Sequence, residues 1–233
     1  EKKEDYSEIK EETSIVADAY VGDQNCVSCH EEAAKDWEGS HHDKAMQEVT
    51  EDSVLGNFDD QSIVIDGVSY FFYKQDNEFH VRIKEIDGSE NDYAISYVFG
   101  LEPLQQYMVE MDRPDDMPED EISRLQVLRI TWDTENKKWF YLSPPDVDEK
   151  LAPDDPLHWT GAAQNWNHMC ADCHSTNLVK DYDVESNSYN TTWSDIDVGC
   201  EACHGPGSAH VAWAEQPAMA RDASGDLGLA RPT

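Results

Sequence analysis

The chain has 233 residues, 39% hydrophobic and 29% charged, enough for one large domain or two small ones with real cores. Its 17 Lys+Arg against 50 Asp+Glu give a formal charge of -33, which repels a phosphate backbone and excludes nucleic acid as a partner. No run approaches the ~18 consecutive apolar residues of a membrane span, and the charged start EKKEDYSEIK, with no initiating Met and no hydrophobic core, reads as a mature or trimmed product, which allows a removed export signal.

The acidic residues are spread along the chain, from Glu1–Glu12 to Asp181–Glu185, and read as a solvated surface with no catalytic role. A macromolecular partner is therefore expected to be basic, or bridged by cations.

In chain order, residues 1–60 form an N-terminal segment that carries CVSCH at 26–30. The run after it is helix-prone and broken at Gly39, where Ser40 and Asp43 make an S-x-x-D signature for a second short helix bearing His41 and His42. From Ser62 the texture changes to SIVIDGVSYFFYKQDNEFHVRIKEIDG and DYAISYVFG, followed by RLQVLRITWDTENKKWFYLSPP. These β-branched and aromatic runs, punctuated by Asp-Gly and Asp-Asn, predict an antiparallel β-rich module over residues 61–143.

Residues 144–233 open on a Pro/Asp-rich linker and carry CADCH at 170–174 and CEACH at 200–204, with a short hairpin predicted between them. Ser208 is placed to cap a last helix, and the Gly-rich tail reads as frayed or docked on another chain. The fold class expected is α+β, loop-rich and packed around its cofactors, with short helices and an inserted β-rich module.

All six cysteines fall into the three copies of C-x-x-C-H: Cys26, Cys29, Cys170, Cys173, Cys200 and Cys203. Zinc knuckles and redox disulfides do not ask for a His at that fixed place, and three such His out of nine in the chain exceed chance. C-x-x-C-H is the attachment pattern of c-type haem. Two thiols form thioethers to the vinyl groups, and the next residue, here His30, His174 or His204, swings under the ring to ligate iron. Three covalent haems are expected, together with assembly outside the cytoplasm.

The sixth position of each iron separates electron transfer from catalysis. Six His remain: His41, His42, His80, His158, His168 and His210. His42 after Trp37, His158 beside Trp159 and His210 after the Gly-Pro-Gly turn have the best contexts for distal ligation. Trp37, Trp159, Trp166 and Trp213 read equally as porphyrin contacts or as core filling.

The stretch YVGDQNCVSCHEEAAKDWEGSHHDKAM resembles the opening of a group of multihaem c-type cytochromes whose pattern runs Y-V-G, C-x-x-C-H, W-x-x-S-x-H-x-x-A-M. YVFGLEPLQQYMVEM, LHWTGAAQNWNHMCADCHSTN and TTWSDIDVGCEACHGPGSAH resemble its later blocks, in the same order. The group includes tetratricopeptide-associated and tetrahaem cytochromes and is similar to polymerising extracellular cytochromes. The resemblance implies His42 and His210 as distal ligands, and His158 in the L-H-W-T-G block.

What it implies for function is electron transfer through closely spaced bis-His haems, without enzymatic turnover, in the periplasm or outside the cell. Other redox proteins, or neighbouring copies joined in a conductive filament, are the implied partners. Relatives usually continue past the third motif, so a ligand from a neighbouring subunit belongs to this expectation. The alternatives are a reductase of a small nitrogen species with one open haem, and an electron-entry module of a larger redox complex.

Overall fold

In the computed structural model the first motif lies on two short helices, α1 (Gln24–Val27) and α2 (Glu31–Trp37), after which the chain enters a two-residue strand, β1 (Gln47–Glu48). The structure describes residues 18–118, 121–147, 150–221 and 225–229; the acidic run Glu1–Glu12 and the end of the tail lie outside them.

Four strands follow as a meander: β2 (Gln61–Ile65), β3 (Val68–Gln75), β4 (Glu78–Lys84) and β5 (Glu90–Ala94). The turns are those the sequence predicts. Asp66-Gly67 and Asp76-Asn77 all have positive φ, the conformation a two-residue hairpin of matching twist requires. Alternation then places Val68, Tyr70 and Phe72 of β3, with Phe79, Val81 and Ile83 of β4, on the buried face.

A second sheet is built from β6 (Tyr97–Phe99), β7 (Leu104–Met111), β8 (Arg124–Val127), β9 (Ile130–Asp133) and β10 (Lys138–Tyr141), in the order β1-β6-β7-β9-β10 with β8 also paired to β7. Both sheets contribute to one core. Phe58 is its hub, meeting Phe72, Phe79, Tyr107 and Trp139 edge-on at 5.1–5.5 Å, while Phe72 lies flat on Trp139 at 3.7 Å. The buried Tyr107 hydroxyl donates to Gln105 Oε1 (2.8 Å) and accepts from Gly56 N (2.9 Å), so its burial leaves no polar group unpaired.

The C-terminal part holds a 3-10 turn (Ala162–Gln164), α3 (Trp166–Met169), α4 (Ala171–His174), the predicted hairpin β11 (Tyr182–Asp183) and β12 (Ser188–Tyr189), then α5 (Cys200–His204) and α6 (Ser208–Ala214). A second cluster joins Met46, Met108, Leu125 and Val127 to Trp166 and Ala171 beside the second motif. The buried Asn167 locks that join. Its Oδ1 accepts from Leu125 N (2.8 Å), and its Nδ2 donates to Ser123 O (2.9 Å) and Thr191 Oγ1 (2.8 Å). The two cores run across residues 60 and 143, so the β-rich part is the scaffold on which the motif segments pack.

The architecture is α+β, as expected, and three local details differ. Ser40 and Asp43 do pair with the backbone, at His42 N, Asp43 N and Gly39 N, yet residues 41–44 form turns and no helix, because the chain leaves at once for β1. Ser208 sits inside α6, whose cap is Gly207, and spends its hydroxyl on Ala19 N (2.8 Å). Residues 225–229 of the tail fold back on α6 of the same chain, where Leu227 O meets His210 Nδ1.

Candidate haem site

Each C-x-x-C-H motif folds into a helical turn, closed by Cys29 N and His30 N donating to Cys26 O, Cys173 N to Cys170 O, and Gly205 N to Glu201 O. Positions i, i+3 and i+4 share one face of such a turn, so both cysteines and the His project to the same side. In every motif the first cysteine is half-buried and the second exposed, and all six thiols are free. Burial raises the Cys26 and Cys170 thiols and pushes Cys200 up to about 12, with Asp23 adding to the effect.

The fold brings the first and third motifs together. The sulfurs of Cys26 and Cys200 and a carboxylate oxygen of Asp23 all lie within 4.8 Å of one another. Asp23 is buried and its Oδ1 accepts from Cys200 N (2.8 Å), capping α5 from a distant part of the chain. Gly199 makes this approach feasible, since a side-chain carbon there would collide with the Asp23 carboxylate. Trp37 Nε1 donates to Val198 O (3.0 Å), a second tie between the segment after the first motif and the segment before the third.

At this junction the His30 and His210 rings lie near each other, with centroids 6.1 Å apart and planes tilted by 31°. The backbone holds His210 through Nδ1, which donates to Leu227 O (2.8 Å), and Trp213 stacks on its ring at 5.5 Å. Nδ1 is thereby engaged, which leaves Nε2 as the nitrogen available to a metal. His174 is oriented in the same way, by Nδ1 donating to Ala45 O (2.7 Å), with Phe99 against its ring. His204 ends α5, and its buried Nδ1 has no hydrogen-bond partner among the described residues.

His42 is exposed and lies on the turn between these motifs. Its carbonyl accepts from Val198 N (3.3 Å), and Ala45 of the same turn holds His174. His158 stands apart from the three motifs. It is 7% exposed, bonds Thr160 Oγ1 through Nδ1 (2.8 Å), and lines a cavity with Tyr70, Glu85, Tyr141 and Lys150. No motif cysteine or motif histidine lines that cavity among the described residues. His41 and His168 are exposed, and His80 stacks on Tyr73 at 5.2 Å, a packing role on β4. Trp159 and Trp166 are core residues.

Residues 25–62 and 146–205 match the family described as Cytochrome c554 and c-prime. The match supports a c-type cytochrome. Searches of curated proteins and of solved structures found no match. The two matched blocks hold all three motifs, and the stretch between them falls on the β-rich part.

The matched family implies covalently bound haem c, and the residues of this chain fit that group. Six free thiols stand in pairs beside a following His, and one pair of imidazoles, His30 and His210, has ring centroids 6.1 Å apart. No helix among the described residues is long and apolar enough to cross a membrane.

The loop that feeds the third motif is electrostatically strained. Asp195 Oδ2 and Asp197 Oδ1 are buried atoms with no hydrogen-bond partner among the described residues. Burial, with Asp23, Asp43 and Asp195 nearby, pushes the Asp197 carboxyl up to about 7; burial, Asp23 and Glu201 raise Asp195. A raised carboxyl holds a proton in the folded chain that the unfolded chain releases above about pH 4. The associated stability is fully present below pH ~4 and is lost as pH rises through ~7. Asp197→Asn is therefore expected to leave the melting temperature unchanged at pH 4 and raise it at pH 8. The gain, discounted for solvent screening of a half-buried group, is on the order of 1 kcal/mol. Equal melting shifts at both pH values would show that Asp197 does not titrate in this window.

Sequence reasoning missed Asp23 and Glu201, which the structure buries at the junction of the first and third motifs, and the half-buried Asp197 beside them. In a chain with 50 acidic residues, three more carboxylates carry no visible signal. The one hint available was the unusual Asp-Ile-Asp-Val-Gly run directly before Cys200.

Proposed function

We propose that this cytochrome transfers electrons through three covalently bound haems, held by Cys26 and Cys29, Cys170 and Cys173, and Cys200 and Cys203, with His30, His174 and His204 as proximal ligands. His210 is the distal ligand of the first haem. His42, on the turn that contacts both other motif segments, is a second distal ligand, and the third comes from a neighbouring copy of the chain.

The observation that carries this reading is the His30–His210 pair at 6.1 Å. A metal–imidazole nitrogen bond is ~2 Å and the ring centre lies ~1 Å behind its nitrogen, so two imidazoles on one metal have centres ~6 Å apart. When bound, the haems supply one-electron iron chemistry. The chain attaches them, orients the imidazoles through backbone carbonyls, and starts the first and third attachments from neighbouring sulfurs, which favours adjacent rings.

The carrier works outside the cytoplasm, and its acidic surface suits basic redox partners. Mass spectrometry of the exported protein should show three haems, and an EPR spectrum of the oxidised form should show low-spin irons. An iron that stays high-spin and shifts on adding nitrite or cyanide would overturn the carrier in favour of a reductase. Electron microscopy of the loaded protein separates the soluble shuttle proposed here from a filament of copies.

A further inference from the structure

We propose that Glu201 is a positioning residue whose carboxylate holds His210 opposite His30, and so sets the spin state and potential of the first haem. The inference rests on the reading that His210 ligates that haem.

Glu201 occupies one of the two places in C-E-A-C-H where attachment chemistry asks for nothing, and in a chain of -33 net charge it would be expected in solvent. Instead it is 2% exposed. Oε1 accepts from Gly207 N (2.6 Å) and Val21 N (3.0 Å), and Oε2 from Val21 N (2.9 Å) and Gly22 N (2.8 Å). Gly207 immediately precedes α6, which carries His210, and Val21-Gly22 lead into α1 and the first motif. One buried carboxylate thus ties together the two segments that present the opposed imidazoles.

The surroundings are built for this contact. Ser208 N donates to Ala19 O (3.1 Å) and Ser208 Oγ accepts from Ala19 N (2.8 Å), which extends the join by one more step. A side-chain carbon on Gly207 would stand 3.1 Å from Glu201 Oε1 and 3.3 Å from Val21 Cγ2, so a larger residue there would push one of them back by a few tenths of an ångström.

A carboxylate is acceptor-only at both oxygens, whereas an amide of the same shape turns an NH2 toward backbone N–H groups. Glu201→Gln therefore leaves either the Gly207 side or the Gly22 side of the tie facing a donor. The charge matters as well. A buried anion near the first and third attachments favours the more positive, oxidised iron, so neutralising it moves the potential upward.

The test uses the full chain loaded with haem, as wild type, Glu201→Gln, Gly207→Ala and His210→Ala. Glu201→Gln is expected to show the high-spin signal of His210→Ala at partial occupancy, with added imidazole restoring low spin in both. Its first-haem potential should move positive, with three haems still bound and an unchanged far-UV spectrum. Gly207→Ala should show the same signal more weakly. In the wild type, hydrogen exchange at the amides of Val21, Gly22 and Gly207 should be slowed at least tenfold relative to open chain.

If His210→Ala makes one haem high-spin while Glu201→Gln keeps low-spin irons and wild-type potentials, Glu201 does not position the ligand. Should Glu201→Gln fail to load haem, unprotected amides at Gly207 and Gly22 with a wild-type spectrum in Gly207→Ala would overturn the proposal equally. Three low-spin irons in His210→Ala would instead remove the ligand reading beneath it.

Discussion

Replacing His210 with Ala is expected to turn the first haem high-spin while all three haems stay covalently attached. The thioethers are made by cysteines that the substitution does not touch, and His30 remains on its own side. What disappears is the imidazole whose ring centre lies 6.1 Å from that of His30, together with its Nδ1 bond to Leu227 O and its stack on Trp213. Alanine is a good helix former, so α6 has no reason to unwind. The far-UV spectrum should therefore match wild type while EPR gains a high-spin signal from one iron. Added imidazole should bind the vacated position and restore the low-spin spectrum. Three low-spin irons without imidazole would assign His210 to packing.

Phe58→Ala should be the most destabilising single change in the β-rich scaffold, costing ~3–5 kcal/mol through lost burial and the cavity it leaves. Phe58 touches four aromatic rings contributed by both sheets, so truncation opens a void that no single neighbour can fill. Phe58→Leu keeps most of the volume and should lose far less. Because the cores run from this scaffold into the segments around the second motif, thermal unfolding followed by far-UV and by haem absorbance should coincide, both at a lowered midpoint. A haem transition left at the wild-type temperature would mean that the motif segments fold independently of the β-rich part.

The β-rich part was legible because its signals are local. Asp66-Gly67 and Asp76-Asn77 demand a left-handed turn, and the alternation from Val68 to Ile83 has one consistent buried face. Cap signals were less reliable. Ser40 and Ser208 both use their hydroxyls as hydrogen-bond acceptors, but no helix follows Ser40, and Ser208 accepts from Ala19. A hydroxyl's partner depends on which backbone N–H arrives, and Ala19 arrives through tertiary packing.

The His residues divide on the same physical line. C-x-x-C-H is self-sufficient, since two thioethers and one ligand are made within five adjacent residues and need no distant partner. Cys26 to His30, Cys170 to His174 and Cys200 to His204 could thus be assigned from their order alone. An opposing imidazole is different, because it must come from a segment brought up by the fold. His158 and His210 look equally suited in the chain. Packing sends His158 to a cavity beside Tyr70 and Glu85, and brings the His210 ring within 6.1 Å of that of His30. Likewise Glu201 is one more acid in a strongly acidic sequence until Val21, Gly22 and Gly207 close around it. Covalent attachment is written in neighbouring residues; the opposing ligand and the carboxylate beneath it exist only once distant segments meet.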